Sequence, residues 1–255
     1  MGVIAMFNEE TRRKLRLMGM DGFIEASEHI RREPGIENLS FDERFQVLTD
    51  RVYQQYFNDK VESLIRTAKL RFPRADVHDI YYDSGRGIKK AAIQEYSTCE
   101  YIDDNRSIVL QGYTSTGKTY IACALAKEAC RHLYKTKYIR LPDLLMEYAE
   151  KSIEPYGKDK MLRKYTNYKV LVIDEWLSTD LSKAEVEFLF ELSERRFDCT
   201  STIFCTLYNI YEDWTKRLGR GTQAESIVER YRHNSYVIEM GDKNMRELFE
   251  SPKKA

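Results

Sequence analysis

A glycine-rich loop between an apolar segment and an amphipathic segment constrains the fold of this chain more than any other feature. Residues 112–119 read GYTSTGKT, which matches the phosphate-loop pattern GxxxxGK[ST] in full. The apolar residues 107–110 precede the loop, and a helical pattern over residues 120–133 follows it. In this order of strand, loop and helix, backbone N–H groups and a helix N-terminus can surround phosphates. The motif therefore predicts an α/β fold with a phosphate site at this strand-to-helix turn.

The residues of this loop act either through their side chains or through their backbone. Lys118 is predicted to neutralise the β- and γ-phosphates of ATP, and the Thr119 hydroxyl is predicted to bind Mg²⁺. The other positions contribute mainly N–H groups, so ATP and Mg²⁺ are the expected cofactors. The predicted nucleotide-binding residues are Gly112, Tyr113, Thr114, Ser115, Thr116, Gly117, Lys118, Thr119 and Tyr120.

An acidic pair follows a second apolar run. Residues 170–173 read VLVI and lead directly into Asp174 and Glu175. Two carboxylates after a buried strand are costly unless they lie at its C-terminal end, where an open parallel sheet binds its ligand. Asp174 is predicted to hold Mg²⁺, and Glu175 to orient and deprotonate the attacking water. A base for water favours hydrolysis of ATP over phosphorylation of a small molecule, and no lid typical of a small-molecule kinase is recognisable.

The character of the sequence changes near residue 106. Before it, apolar residues recur at helical intervals, which predicts one helix over residues 8–33 and another from Ser40 to Phe72, with Ser40 and Glu43 at capping-box spacing. After it, short apolar runs alternate with amphipathic helices, which predicts a parallel sheet covered on both faces. We therefore predict a small all-helical N-terminal domain (residues 1–75), serving DNA, partner or self-association, and an ATPase domain (residues 76–255). The predicted strands are residues 107–110, 138–141, 170–173, 202–205 and 236–238.

Charge and hydropathy restrict the partners and the compartment. Lys plus Arg and Asp plus Glu each number 41, so the overall charge gives no sign of nucleic-acid binding. Solvated helix faces are the ordinary interpretation of the two local cation clusters. No apolar run approaches the roughly 18 residues that span a membrane, and the start lacks the features of a signal peptide. We expect a cytoplasmic protein without membrane contact. The clusters are Arg12, Arg13, Lys14 and Arg16, and Lys69, Arg71 and Arg74.

Two further positions are candidates for contact with the γ-phosphate. A polar side chain after residues 202–205 could reach it from the neighbouring strand, and Thr206 is the first choice, with Asn209 as the alternative. An ordinary turn explains Thr206 equally well, because polar residues are common after strands. Arg230 lies in a helical stretch, from which an arginine of a neighbouring subunit could stabilise transition-state charge. The pattern alone does not separate it from Arg217, Arg220 and Arg232.

Six segments spread along nearly the whole chain carry a resemblance to a known family: LRLMGM (15–20), LSFDER (39–44), DIYYD (79–83), GRG (85–87), DEW (174–176) and IVERYRHN (227–234). They resemble the IstB-like transposition helper ATPases, relatives of the DnaC-type helicase loaders within the AAA+ superfamily. Two segments depart from the family: residues 113–116 read YTST where PTGV or similar is usual, and residues 205–208 read CTLY where a TSQ or TN signature is frequent. The loop positions contribute mainly backbone, so phosphate binding is expected to survive.

This resemblance implies an AAA+ P-loop NTPase core, with a five-stranded parallel sheet between helices, behind the helical N-terminal domain. It assigns the trans-acting arginine to Arg230, so that Lys118, Glu175, Arg230 and Thr206 are the expected catalytic residues. It also implies a homo-oligomer with shared ATP sites on duplex DNA, bound largely without sequence preference, and cooperation with the transposase of an insertion sequence. The alternative is a DnaC-like loader that binds a replicative helicase and single-stranded DNA. The N-terminal segment resembles the transposition group.

Overall fold

The chain divides into two compact units, Met1–Ser63 and Leu64–Ala255, in a computed structural model that describes residues 6–249. Within the described residues, no helix is both long and apolar enough to cross a lipid bilayer. The helices are α1 (Glu9–Leu17), α2 (Asp21–Ile30), α3 (Phe41–Ala68), α4 (Lys90–Ser97), α5 (Glu100–Asp103), α6 (Lys118–Arg131), α7 (Leu141–Ser152), α8 (Gly157–Thr166), α9 (Lys183–Arg196), α10 (Trp214–Arg217), α11 (Thr222–His233) and α12 (Met245–Phe249). The strands are β1 (Ser107–Gln111), β2 (Thr136–Arg140), β3 (Val170–Trp176), β4 (Ser201–Thr206) and β5 (Ser235–Glu239).

The first unit contains α1, α2 and most of α3. The prediction of one helix over residues 8–33 is wrong, because the chain leaves the helical conformation between α1 and α2. Gly19 has a φ of +69°, the left-handed conformation that commonly ends a helix. The Met20 N–H then donates to the Leu15 carbonyl at 2.8 Å, which satisfies a helix-end acceptor. A single glycine in the helical pattern thus separates two short helices.

The start of α3 agrees with the sequence, and its end does not. The Ser40 N–H donates to the Glu43 carboxylate at 2.8 Å, and the Glu43 N–H donates to the Ser40 hydroxyl at 3.3 Å, which is the predicted capping box. The helix stops at Ala68 rather than Phe72, because Lys69 takes a φ of +53°. Ala26, Ile30 and Leu48 form the buried apolar cluster of the first unit.

Five parallel strands form the sheet of the second unit, in the order β2-β3-β4-β1-β5. This confirms the predicted α/β class and the five predicted strands. The second strand is shifted from its predicted position: β2 ends at Arg140, and Leu141 already begins α7. Since all strands are parallel, the carboxyl ends of β1, β3 and β4 meet at one edge, where open α/β sheets bind their ligands.

Successive residues of the central strands face two separate apolar cores. Val172 of β3 packs in the core that includes α6, whereas Ile173 packs in the core that includes α7 to α11. Phe204 of β4 belongs to the second core. Because side chains alternate along a strand, this parity directs Asp174 toward α6 and Thr206 toward the opposite face.

Candidate nucleotide site

The phosphate loop joins β1 to α6, and its lysine lies inside the curve of the loop. Lys118 begins α6, and its Nζ donates to the carbonyls of Gly112 and Tyr113 at 2.6 Å each. Burial lowers the pKa of Lys118, while the nearby acidic groups Cys205 and Asp174 oppose that shift. The ammonium therefore lies where phosphates bound by the loop would meet it, in line with its predicted role.

The tight curve of the loop depends on backbone conformation and on a close approach by an arginine. Ser115 and Gly117 have φ values of +67° and +90°. The Arg86 guanidinium donates to the Thr116 carbonyl at 2.7 Å and to the Tyr81 carbonyl. A Cβ added to Gly117 would lie 3.0 Å from Arg86 Nη2. Position 117 therefore requires glycine both for its φ and for the space that Arg86 occupies.

Asp174 connects the end of β3 to the phosphate loop. This residue is 3% exposed, and its Oδ2 accepts hydrogen bonds from the Thr119 hydroxyl at 2.9 Å and the Tyr138 hydroxyl at 2.7 Å. Burial and the bond to Asp174 raise the pKa of Tyr138, so the phenol remains a donor. A carboxylate and a hydroxyl in contact are the hard oxygen ligands that suit Mg²⁺. The residues present therefore fit the predicted metal site.

Glu175 lies at an irregular point of β3. The pairing of β3 with β4 shifts register between Ile173 and Trp176, and Glu175 has a φ of +56°. Bulges often re-aim side chains beside active sites, and strained backbone concentrates there. The Glu175 carboxylate lies 3.7 Å from Nη1 of Arg71 and 3.7 Å from Nη1 of Arg140. Its side chain is 36% exposed, so water can approach it.

A cleft of about 550 Å³ opens beside Lys118 and Thr119. Its size is within the range of small-molecule sites. Several lining residues were not predicted from the sequence, because they come from segments far from the phosphate motif. The triplet Gly85-Arg86-Gly87 was the available signal: a Cβ on Gly87 would lie 2.1 Å from the Glu239 carbonyl, so this turn must pack against the end of β5. The unpredicted lining residues include Arg71, Phe72, Ile80, Arg86, Met245 and Arg246.

Comparison with known proteins agrees with this geometry. The sequence matches the family described as IstB-like ATP binding protein over residues 12–251. The chain belongs to the IstB-like ATP-binding proteins. An insertion-sequence ATP-binding protein of Sinorhizobium fredii is 28% identical over 242 residues, which cover 94% of this chain and 97% of that protein. Another, from Pseudomonas fluorescens, is 30% identical and covers 78% of this chain and 85% of its own length.

Solved structures show the same fold. The DnaC helicase loader has a TM-score of 0.58 with 22% identity, over 67% of this chain and 98% of that one. AMPPCP-bound DnaA from Aquifex aeolicus has a TM-score of 0.57 with 16% identity, over 70% of this chain and 53% of that one. The second unit of this IstB-like protein therefore has the AAA+ P-loop NTPase fold.

Thr206 lies beside the phosphate loop, but its side chain forms hydrogen bonds with backbone groups of its own chain. The Thr206 carbonyl accepts from the Gly112 N–H at 3.2 Å, which places the end of β4 next to the loop. Its hydroxyl donates to the Trp176 carbonyl and accepts from the Tyr208 N–H, both at 3.0 Å. The alternative, Asn209, accepts from the Tyr211 N–H through its side chain at 2.8 Å. A γ-phosphate contact by the Thr206 hydroxyl would require its bond to the Trp176 carbonyl to break, whereas Asn209 would donate through Nδ2, which its stated bond does not use; the sensor role stays a prediction.

Arg230 lies on α11 of this IstB-like chain and pairs with Glu194 of α9. Its guanidinium also lies 5.2 Å from the centre of the Phe190 ring, and its side chain is 17% exposed. Nη1 is buried without a hydrogen-bond partner among the described residues, and burial lowers the pKa of the group. Among the described residues, those that line the nucleotide cleft do not include Arg230.

Two of the other three candidate arginines also have side-chain neighbours within the chain. Arg217 donates to the Leu177 carbonyl at 3.1 and 3.0 Å and pairs with Asp180. Arg232 is close to Glu229 at 4.0 Å and lies over the Tyr211 ring. Arg220 is exposed in the turn between α10 and α11, with a φ of +59°. The structure thus distinguishes the surroundings of the four arginines, which the sequence pattern alone did not separate.

Proposed function

We propose that this chain hydrolyses ATP with Mg²⁺, oligomerises on duplex DNA, delivers target DNA to the transposase of its insertion sequence and stimulates that transposase. The observation that carries the proposal is the hydrogen bond from Thr119 to Asp174 at 2.9 Å. Lys118 directly precedes Thr119 in the chain, and Glu175 directly follows Asp174. This contact brings the phosphate loop and the acidic pair into one site, as hydrolysis requires.

The chemical roles follow from this arrangement. Lys118 binds the β- and γ-phosphates of ATP, and the Thr119 hydroxyl with the Asp174 carboxylate forms the metal position. Mg²⁺ bound there supplies positive charge that offsets the charge developing on the phosphates. Glu175 accepts a proton from the attacking water, since its half-exposed carboxylate follows directly on the metal position. Tyr138 orients Asp174 through its hydrogen bond.

The oligomer would complete this site with an arginine from the next subunit. Arg230 lies outside the cleft of its own chain, so it would act in trans by leaving Glu194 and reaching a neighbour's γ-phosphate. An arginine supplied across an interface makes hydrolysis depend on assembly. This dependence would join ATP turnover to the formation and breakdown of the oligomer on DNA.

Contact with DNA is proposed to come from repeated weak contacts. The net charge is zero, and Arg12 pairs with Glu28 at 3.0 Å, so this part of the first cation cluster is already neutralised. Arg13 and Arg16 are exposed on α1 and remain the better candidates for phosphate contact. Repetition in an oligomer would multiply such contacts. The transposase and target-DNA roles are supported by relatives whose names place them in insertion sequences, and we propose that the protein works in the cytoplasm.

One experiment tests the ATPase and DNA-binding parts of the proposal. ATP hydrolysis and oligomer size are measured together without DNA, with long duplex DNA and with single-stranded DNA, over a series of salt concentrations. We expect ATP-dependent, salt-sensitive assembly on the duplex and faster hydrolysis there. Lys118→Ala is the control, and by itself it should abolish hydrolysis. Tight binding of duplex by a monomer without ATP would contradict the proposal. Preference for single strands, with binding to a replicative helicase, would favour the loader alternative.

A further inference from the structure

Arg71 occupies a position between the nucleotide cleft and the acidic pair. Its Nη1 lies 4.0 Å from Asp174 Oδ2 and 3.7 Å from Glu175 Oε1. The same side chain lines the cleft together with Lys118 and Thr119. A cation that lies near the predicted metal ligand and the predicted base, and that lines the same cleft as the phosphate lysine, is close to where the terminal phosphate of ATP must lie.

The backbone that carries Arg71 is anchored to the phosphate-loop helix. Ala68, Leu70 and Ala75 are buried in the same core as α6. Burial raises the pKa of Cys123, a residue of α6, to about 11, and the backbone N–H groups of Phe72 and Arg71 oppose that rise because they point at its sulfur. The base of the Arg71 side chain is therefore fixed relative to the phosphate loop.

The guanidinium, in contrast, is held by contacts that it can exchange: long ion pairs with the two carboxylates, a hydrogen bond with the Tyr138 hydroxyl and the Phe72 ring at 5.9 Å. Its side chain is 45% exposed, and its contacts with the two carboxylates are longer than the roughly 2.7–2.9 Å of a charge-assisted hydrogen bond. Arg140 differs, because it holds Asp143 with two bonds at 2.8 and 2.7 Å. A planar guanidinium on a loose ion pair can turn to phosphate oxygens, for which its fork of donors is well suited.

We propose that Arg71 binds the γ-phosphate of ATP within its own subunit and so makes the site prefer ATP to ADP. This inference rests on the proposed nucleotide site and adds a phosphate-binding side chain that lies outside the phosphate loop. In moving to the phosphate, Arg71 would leave the Glu175 carboxylate to the attacking water. The residue would then report the presence of the terminal phosphate to the catalytic base.

The test measures binding rather than turnover, so it is independent of the hydrolysis step. Affinities for AMPPCP and ADP, each with Mg²⁺, are measured by titration calorimetry on the full chain. In Arg71→Ala, AMPPCP should bind about ten-fold more weakly, because a hydrogen bond to a charged group is lost, while ADP affinity should stay within about two-fold. Arg71→Lys should recover part of the preference, because it keeps the charge without the fork. Arg74→Ala is the matched control, an arginine of the same segment that does not line the cleft, and it should change neither affinity.

Three results would overturn the inference. Equal weakening of both nucleotides in Arg71→Ala and Arg71→Lys would assign Arg71 a structural role. Unchanged affinities would show that it does not contact the terminal phosphate. An equal loss of ATP preference in Arg140→Ala, a residue that touches Glu175 from outside the cleft, would show that the effect passes through Glu175. Failure of the unchanged protein to bind either nucleotide would overturn the proposed function as well.

Discussion

The nucleotide cleft and the surface formed by α9 and α11 hold their functional side chains in opposite ways. The cleft is lined by residues from the segment after α3, the phosphate loop, α6 and α12, and Thr119 of α6 already bonds Asp174 of β3 at 2.9 Å. On the α9–α11 surface, Arg230 is turned onto its own chain, where it contacts Glu194 and the Phe190 ring. The cleft is assembled by the fold of a single chain, whereas the predicted role of Arg230 on the α9–α11 surface requires a second subunit.

This difference indicates how the two halves of the proposed site can be separated by experiment. Changes in the cleft should impair a subunit that carries them. Changes at Arg230 should impair the neighbour instead, since that residue lies outside its own cleft. Glu194 is a third kind of position, because it pairs with Arg230 and does not line the nucleotide cleft.

Glu175→Gln should give the largest effect on turnover while leaving the site otherwise intact. The amide cannot accept the proton of the attacking water, so turnover should fall by about 10²–10⁴-fold, with ATP still bound. Steady-state hydrolysis and nucleotide retention on filters measure the two quantities. Glu150→Gln, an exposed carboxylate on α7, is the control. Normal turnover in Glu175→Gln would mean that another group positions the water.

Arg230→Ala should reduce turnover by about 10³-fold in the pure variant, as for other arginines supplied across an interface. Mixing it with Lys118→Ala should restore part of the activity, because some junctions then combine an intact phosphate loop with an intact arginine. Activity and oligomer size are measured together at several mixing ratios. Arg232→Ala, two residues further along α11, should remain active. An inactive mixture that demonstrably forms mixed oligomers would show that Arg230 is not a shared residue.

Thr206→Val should act mainly on stability. Its hydroxyl bonds the Trp176 carbonyl and the Tyr208 N–H, so its loss should lower the free energy of unfolding by about 1–3 kcal/mol. Turnover of the folded variant should fall less than about ten-fold, since these bonds direct the hydroxyl away from the phosphates. Chemical denaturation and hydrolysis at saturating ATP measure the two effects. Thr206→Ser retains the hydroxyl and should resemble the unchanged protein. A much larger loss of turnover without loss of stability would favour the predicted sensor role.

Glu194→Gln should give the smallest effect and the opposite sign. Removing the charge that holds Arg230 should free it for a neighbouring subunit, since Glu194 is half-exposed and an ion pair open to solvent contributes about 0.2–1 kcal/mol. The protein concentration at which hydrolysis is half-maximal should therefore fall by about two- to five-fold. Glu191→Gln, a residue of the same helix that pairs with Lys158, is the control. If Glu194→Gln needs a higher concentration instead, Glu194 supports the interface rather than restraining Arg230.

Contiguous patterns in the sequence predicted the framework of the fold. The five strands and their parallel direction agree with the short apolar runs, and the capping box at Ser40 and Glu43 is present. The helix over residues 8–33 was predicted wrongly, because the apolar spacing continues through Gly19 while its backbone does not. Periodicity reports which faces are apolar, but one residue with positive φ can end a helix without altering that spacing.

The sequence by itself determined the phosphate loop, the acid pair and the class of fold, because each of these depends on residues adjacent in the chain. The tertiary structure alone decided which distant residues join them. It brought Arg71 and Tyr138 to the acid pair and Arg86 to the loop, and it set Arg230 against Glu194. These contacts depend on how strands and helices pack and on the face that each side chain occupies. The pattern of residue types along the chain does not reveal which distant side chains will meet.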